Sequence, residues 1–180
     1  DFVARNDKFQ DLARGIAELA VRHSVGDVEE LKNTKDGHGK TVAENVTNAI
    51  ATIGENMTLR RSAIIGVTKG VVASYIHGAI VPGMGKIGIL IGLESEGAAD
   101  KLEALGKQIA MHIAATSPQY IASSEIPEEA KHAALEVFTK EVEGKPAEMQ
   151  EKIMEGKLAS YFRDQVLLDQ PFIRDEAKSI

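Results

Sequence analysis

Gly83-Met84-Gly85-Lys86-Ile87-Gly88 fits the G-x-G-x-x-G pattern, which in dinucleotide folds brings backbone amides and a helix N-terminus onto a pyrophosphate. That chemistry needs a helix after the last glycine. The residues that follow, Ile89-Leu90-Ile91, read as a strand, so a nucleotide site is set aside here. Gly39-Lys40-Thr41 has the ending of a phosphate-binding P-loop, but the first glycine of that motif would fall at Thr34 and no strand precedes it. The five histidines (His23, His38, His77, His112, His132) show no paired spacing of the kind metal sites use, and there is no cysteine to supply a thiolate. No nucleophile elbow or other catalytic cluster occurs, so no catalytic residue, metal ligand or cofactor is expected. An enzyme reading could start only from the loop around His38 and Lys40, as an unrecognised hydrolase.

A second candidate feature stands where the chain begins. Asp1 and Phe2, an acid and an aromatic, stand at the head of an amphipathic helix whose apolar positions recur at Phe9, Leu12, Ile16, Leu19 and Ala20. Phe2 falls seven residues before Phe9, so a helix reaching back that far would bury it in the same stripe. Helical phase alone leaves core residue and surface contact equally open. A start on Asp-Phe-Val without Met reads as a piece of a longer protein.

The bulk of the chain, which must position these residues, is ordinary for a globular protein. Of its 180 residues 43% are apolar, 27% charged and 4% aromatic, enough to bury a core as one domain or as two small ones. The net charge of -6 offers no basic footprint for nucleic acid. The lack of cysteine excludes a disulfide framework and suits a reducing compartment. No apolar run is long enough to span a membrane, and no signal-peptide pattern occurs. The sequons Asn45-Val46-Thr47 and Asn56-Met57-Thr58 are read as chance.

The spacing predicts a first helix from about Val3 to Val21 and a short one at Val28–Leu31 capped by Asp27. An exposed loop over Asn33–Lys40 follows, then a helix carrying Val42, Val46, Ile50 and Ile53 that stops at Gly54. From Met57 to Ala63 the alternation predicts a strand, and Gly70 a turn. Val71–Ile80 reads as β-rich and Val81–Lys86 as a connector without regular pairing. Ile87–Leu93 reads as a strand covered on both faces or central in its sheet. A helix with Leu102, Leu105, Ile109, His112 and Ile113 on one face ends at Pro118, with His112 as a hydrogen-bonded core residue. Pro127 opens another helix, Gly144-Lys145-Pro146 breaks it, and a last helix runs to about Leu168, making an antiparallel hairpin. The expected fold class is α+β: a small antiparallel three-stranded sheet layered with helices, plus a protruding, coiled-coil-like helical hairpin. The expected domains are an N-terminal core subdomain at 1–69, a second core subdomain at 70–118 and a hairpin or dimerisation module at 119–180.

Several stretches together resemble the elongation factor Ts family. Asp1-Phe2-Val3-Ala4-Arg5-Asn6 is similar to the family's T-D-F-V-A-[RK]-N, and Ile53-Gly54-Glu55-Asn56-Met57-Thr58-Leu59-Arg60-Arg61 to I-G-E-N-[IM]-x-[IL]-R-R. Ser74-Tyr75-Ile76-His77 resembles S-Y-x-H, and Gln108-Ile109-Ala110-Met111-His112-Ile113-Ala114-Ala115 resembles [HQ]-I-A-M-H-[VI]-A-A. Gly144-Lys145-Pro146, Glu151–Lys157 and Gln170-Pro171-Phe172 are similar to G-K-P, E-K-[IM]-[VM]-E-G-[RK] and Q-[PA]-F. All stand in the family's order. Thr52 departs from it where many members are basic, Ala79–Lys86 is a longer connector, and Ser123–Glu143 is the least similar part.

The resemblance implies a guanine-nucleotide exchange factor in translation elongation, without chemistry of its own. Its partner would be elongation factor Tu, bound in the GDP and nucleotide-free states. It implies Asp1, Phe2, Val3 and Ala4 as the element that dislodges Mg²⁺ from that partner, with Phe2 inserting between helices. It places Ile53 and Gly54 near the partner's phosphate-binding loop and His77 toward its β-barrel side; by phase Ile53 also completes a core stripe, and both readings stand. The hairpin is implied in dimerisation or partner contact, and the location is the bacterial cytoplasm or an organelle matrix. The alternative from another class is a dimerising scaffold acting through the hairpin.

Overall fold

Asn6 decides where the first helix begins. Its backbone is extended (φ -77°, ψ 125°) and its side chain accepts the Lys8 amide at 2.9 Å, so α1 runs Asp7–His23 rather than from Val3. Asparagine favours this position because its short side chain replaces a helical partner for an orphan amide. The computed structural model describes residues 2–144 and 146–180, and within it the chain divides into two compact units, residues 1–66 and 67–180.

In the first unit, α1 ends at Ser24 in the left-handed region. Helix α2, Val28–Asn33, is capped by Asp27, whose carboxylate accepts the amides of Glu29 and Glu30. Helix α3, Val42–Ile53, opens with a reciprocal capping box between Thr41 and Glu44 and closes at Gly54, φ 82°. Leu19, Ala20, Val25, Leu31 and Val42 form the buried core, with Ile16, Val46 and Leu59 packed against it. The Thr41 amide, then the Thr41 hydroxyl, hold Glu44 below the usual carboxylate range. A folded value below the unfolded one means that its contribution is complete above the unfolded range and is lost as pH falls through the folded value. Thr41→Ala removes the N-cap hydroxyl and is expected to destabilise the first unit at neutral pH by about 1 kcal/mol, as lost caps typically do. The urea midpoint of the first unit should show that difference shrinking in acid, and a deficit constant with pH would count against the reciprocal cap.

The stretch from Met57 to Ala63 is not a strand, which corrects the expected three-stranded sheet. Met57 and Leu59 are half-buried, with Leu59 packed against the core, but Ala63 is exposed, and the backbone joins no ladder among the described residues. The second unit instead holds a pair of two-stranded antiparallel ladders. Strand β1, Gly70–Val81, pairs with β2, Met84–Glu94, so that Gly70 starts a strand and only Pro82 and Gly83 form the turn. The predicted connector shows up merely as a register shift between Ala79 and Val81. Nor is β2 covered on both faces or central: among the described residues it has one paired neighbour, and Leu90 is 56% exposed.

Helix α4, Ala99–Thr116, packs on both strands. It comes closest at Gly106, where an added Cβ would lie 2.6 Å from the Ala73 Cβ and 3.2 Å from the Leu93 Cδ1. Helices α5, Glu128–Val142, and α6, Ala147–Arg163, contact one another through an edge-on Phe138–Tyr161 pair at 5.7 Å and a Lys157–Glu141 ion pair. Helix α6 stops short of the expected Leu168 because the next residues bond elsewhere. The Leu167 amide donates to the Tyr120 carbonyl at 2.8 Å and Leu168 to Ile121 at 3.1 Å. Val166 and Leu167 are buried there. The chain then forms β3, Pro171–Phe172, and β4, Asp175–Ser179. His112 is a fully buried core residue, as its phase predicts: its Nε2 lies 2.7 Å from the Gln170 Oε1, and its Nδ1 accepts the Ile173 amide at 3.3 Å. The fold class is α+β.

Candidate functional site

The break at Asn6 separates Phe2 from the buried stripe. Val3–Arg5 form one 3-10 turn, with the Arg5 amide donating to the Phe2 carbonyl at 3.1 Å and Asn6 to Val3 at 3.0 Å. Phe2 is 94% exposed, which overturns its reading as a core residue. Val3 and Ala4 are half-buried, and Asp1 lies outside the described residues. Gln10, on the first turns of α1, is buried, and its Nε2 donates to the Ala4 carbonyl at 2.9 Å.

Ile53 is the last residue of α3 and half-buried, a position compatible with both of its expected roles. Gly54 is exposed, and an added Cβ would meet nothing within 4 Å; the left-handed backbone, not crowding, calls for glycine. His77 belongs to the other unit. It is exposed on β1 opposite Ile87, with its Nδ1 3.0 Å from the Tyr75 hydroxyl.

The motifs set aside on sequence grounds serve the fold. Gly83–Gly88 spans a turn and a strand, and a Cβ on Gly85 would come within 2.5 Å of the Ile76 side chain and 2.7 Å of the His77 carbonyl. Strand closeness, not a phosphate, requires that glycine. Thr41 is committed to the α3 cap. Beside His38, a cleft of about 260 Å³ is lined by Leu12, Ile16, Arg22, Asp36 and Asn45. Asp36 accepts Nδ2 of Asn45 at 2.8 Å and the amides of His38 and Lys40, and Asn45 first, then the His38 amide, hold its carboxyl below the usual range. Among the described residues no group of three or more His, Asp or Glu could hold a metal, and no helix is long and apolar enough to cross a membrane.

Sequence reasoning missed the Gln10–Ala4 and Tyr75–His77 contacts beside candidate residues. For Gln10 a signal existed: reading Asn6 as a cap would have detached the turn at residues 2–5 from α1 and left its anchor to be sought.

Together these features define an α+β protein in which Phe2, Gly54 and His77 are exposed and Val3, Ala4 and Ile53 half-buried. Its whole length, residues 1–180, matches the family model described as Elongation factor TS. It is 49% identical over 181 residues to elongation factor Ts of Xanthobacter autotrophicus and, over the same length, to that of Methylorubrum populi. Identity to elongation factor Ts of Nitrobacter hamburgensis is 48% over 183 residues. Each comparison covers all of this chain, which spans 59% of the relative's length. The chain belongs to the elongation factor Ts family.

Proposed function

We propose that this chain is a guanine-nucleotide exchange factor that binds elongation factor Tu best when its nucleotide site is empty. Linkage makes the effect reciprocal: whatever stabilises the empty state weakens nucleotide and Mg²⁺ by the same factor. Phe2 is the inserting residue, presented on the turn formed with Val3 and Ala4, and Asp1 disturbs the shell holding the partner's Mg²⁺. Ile53 and Gly54 approach the phosphate-binding loop, where a glycine lets backbones come close. His77 meets the β-barrel side. The protein supplies no reaction and no cofactor of its own, and it works in the bacterial cytoplasm. The α5–α6 pair is a protruding hairpin that touches the partner or a second copy.

The observation that supports this best is an almost fully exposed aromatic held on a short, internally bonded turn, in a chain that matches the family model throughout. Such a side chain gains nothing in the free protein. The test is loss of labelled GDP from elongation factor Tu with and without the chain, where acceleration is expected and an unchanged rate contradicts the proposal.

A further inference from the structure

We infer that Gln10 is a positioning residue whose buried amide ties down the turn carrying Phe2 and thereby sets the direction in which the ring is offered. The inference rests on the proposed role of Phe2. Gln10 is 8% exposed, and a buried amide needs a partner. It finds one outside its own helix: the Ala4 carbonyl, six residues back and beyond the extended Asn6. The Gln10 backbone amide meanwhile closes the first turn of α1 on the Asn6 carbonyl at 3.0 Å. One residue thus holds both sides of the break.

Phe2 cannot hold the turn itself, because its ring is exposed. A single turn of three residues is also too short to be stable alone, since nucleation fixes several dihedrals for one hydrogen bond. With the turn anchored to a helix, less freedom remains to be lost when the ring inserts.

Gln10→Glu keeps the shape of the side chain but faces the Ala4 carbonyl with an acceptor; Gln10→Met keeps its length and removes the donor. Both are expected to retain α1, since Asn6 still caps it. They should speed hydrogen exchange at the Arg5 and Asn6 amides and slow catalysed GDP release about fivefold. In a Phe2→Ala background neither should slow release further, because Gln10 acts through Phe2. Wild-type release by the Gln10 variants, or the same loss with and without Phe2, overturns the positioning role. Unchanged release by Phe2→Ala alone overturns instead the reading of Phe2 on which it rests. Should Gln10→Glu unfold α1, Gln10→Met decides.

Discussion

Phe2→Ala is expected to slow catalysed GDP release about thirtyfold while leaving the fold untouched. A buried aromatic anchor in an interface is worth roughly 2 kcal/mol, and about 1.4 kcal/mol corresponds to a factor of ten. At 94% exposure the ring makes little contribution to the free protein, so the urea midpoint should move by less than about 0.5 kcal/mol equivalent. That dissociation of activity from stability is the distinctive part of the expectation. A core phenylalanine would lose about 3–5 kcal/mol on the same change. Stopped-flow release with labelled GDP, alongside urea unfolding of the same variant, reads both quantities. Release at the wild-type rate would remove Phe2 from the mechanism.

The largest effect on stability is expected at Gly106. Its missing side chain lets α4 settle on the β1–β2 ladder, and a Cβ there would stand 2.6 Å from Ala73, with the Ile91 Cγ2 at 3.6 Å and the Leu93 Cδ1 at 3.2 Å. Gly106→Val adds a branched side chain to that closed space. Overpacking of this kind costs about 3 kcal/mol, and any gain in helix propensity over glycine, below about 1 kcal/mol, does not offset it. With a urea slope of about 2 kcal/mol/M the midpoint of the second unit should fall by about 1.5 M. Ala73→Gly in the same chain removes the nearest opposing carbon and should restore part of the loss. A midpoint unchanged by Gly106→Val would mean that α4 does not sit on the ladder as described.

How far such features could be read in advance depends on the range of the interaction that creates them. Helices α2 and α3 are legible because Asp27 and Gly54 act within a turn of their own helix and Val42, Val46, Ile50 and Ile53 mark one face, whereas the Thr41–Glu44 box is seen only in the structure. His112 is legible as a buried residue through helical phase, but its partner Gln170 lies 58 positions away and no local pattern announces it. A comparable separation in sequence hides the stitching of Leu167 and Leu168 to Tyr120 and Ile121, and with it the early end of α6. Met57–Ala63 misleads for a different reason: alternation is a pattern of side chains, here holding only as far as Leu59, and it cannot say whether a neighbouring backbone exists to complete a ladder. Helical phase marks Ile53 and Gly54 as the end of a helix, but a partner role of the kind proposed for them and for His77 has no local signature and rests on the family motifs. Gln10 escapes a sequence reading since a polar residue beside an apolar stripe ordinarily faces water. What makes it different is the break at Asn6, which leaves the Ala4 carbonyl within its reach.

The most direct test of the exchange proposal is the rate at which elongation factor Tu loses labelled GDP as this chain is titrated in at fixed Mg²⁺. Exchange by insertion predicts a release rate that rises with the concentration of the chain and saturates, and, by linkage, tighter binding of the chain to nucleotide-free than to GDP-bound partner. Release that stays at the spontaneous rate at every concentration, with equal affinity for the two forms, would contradict it.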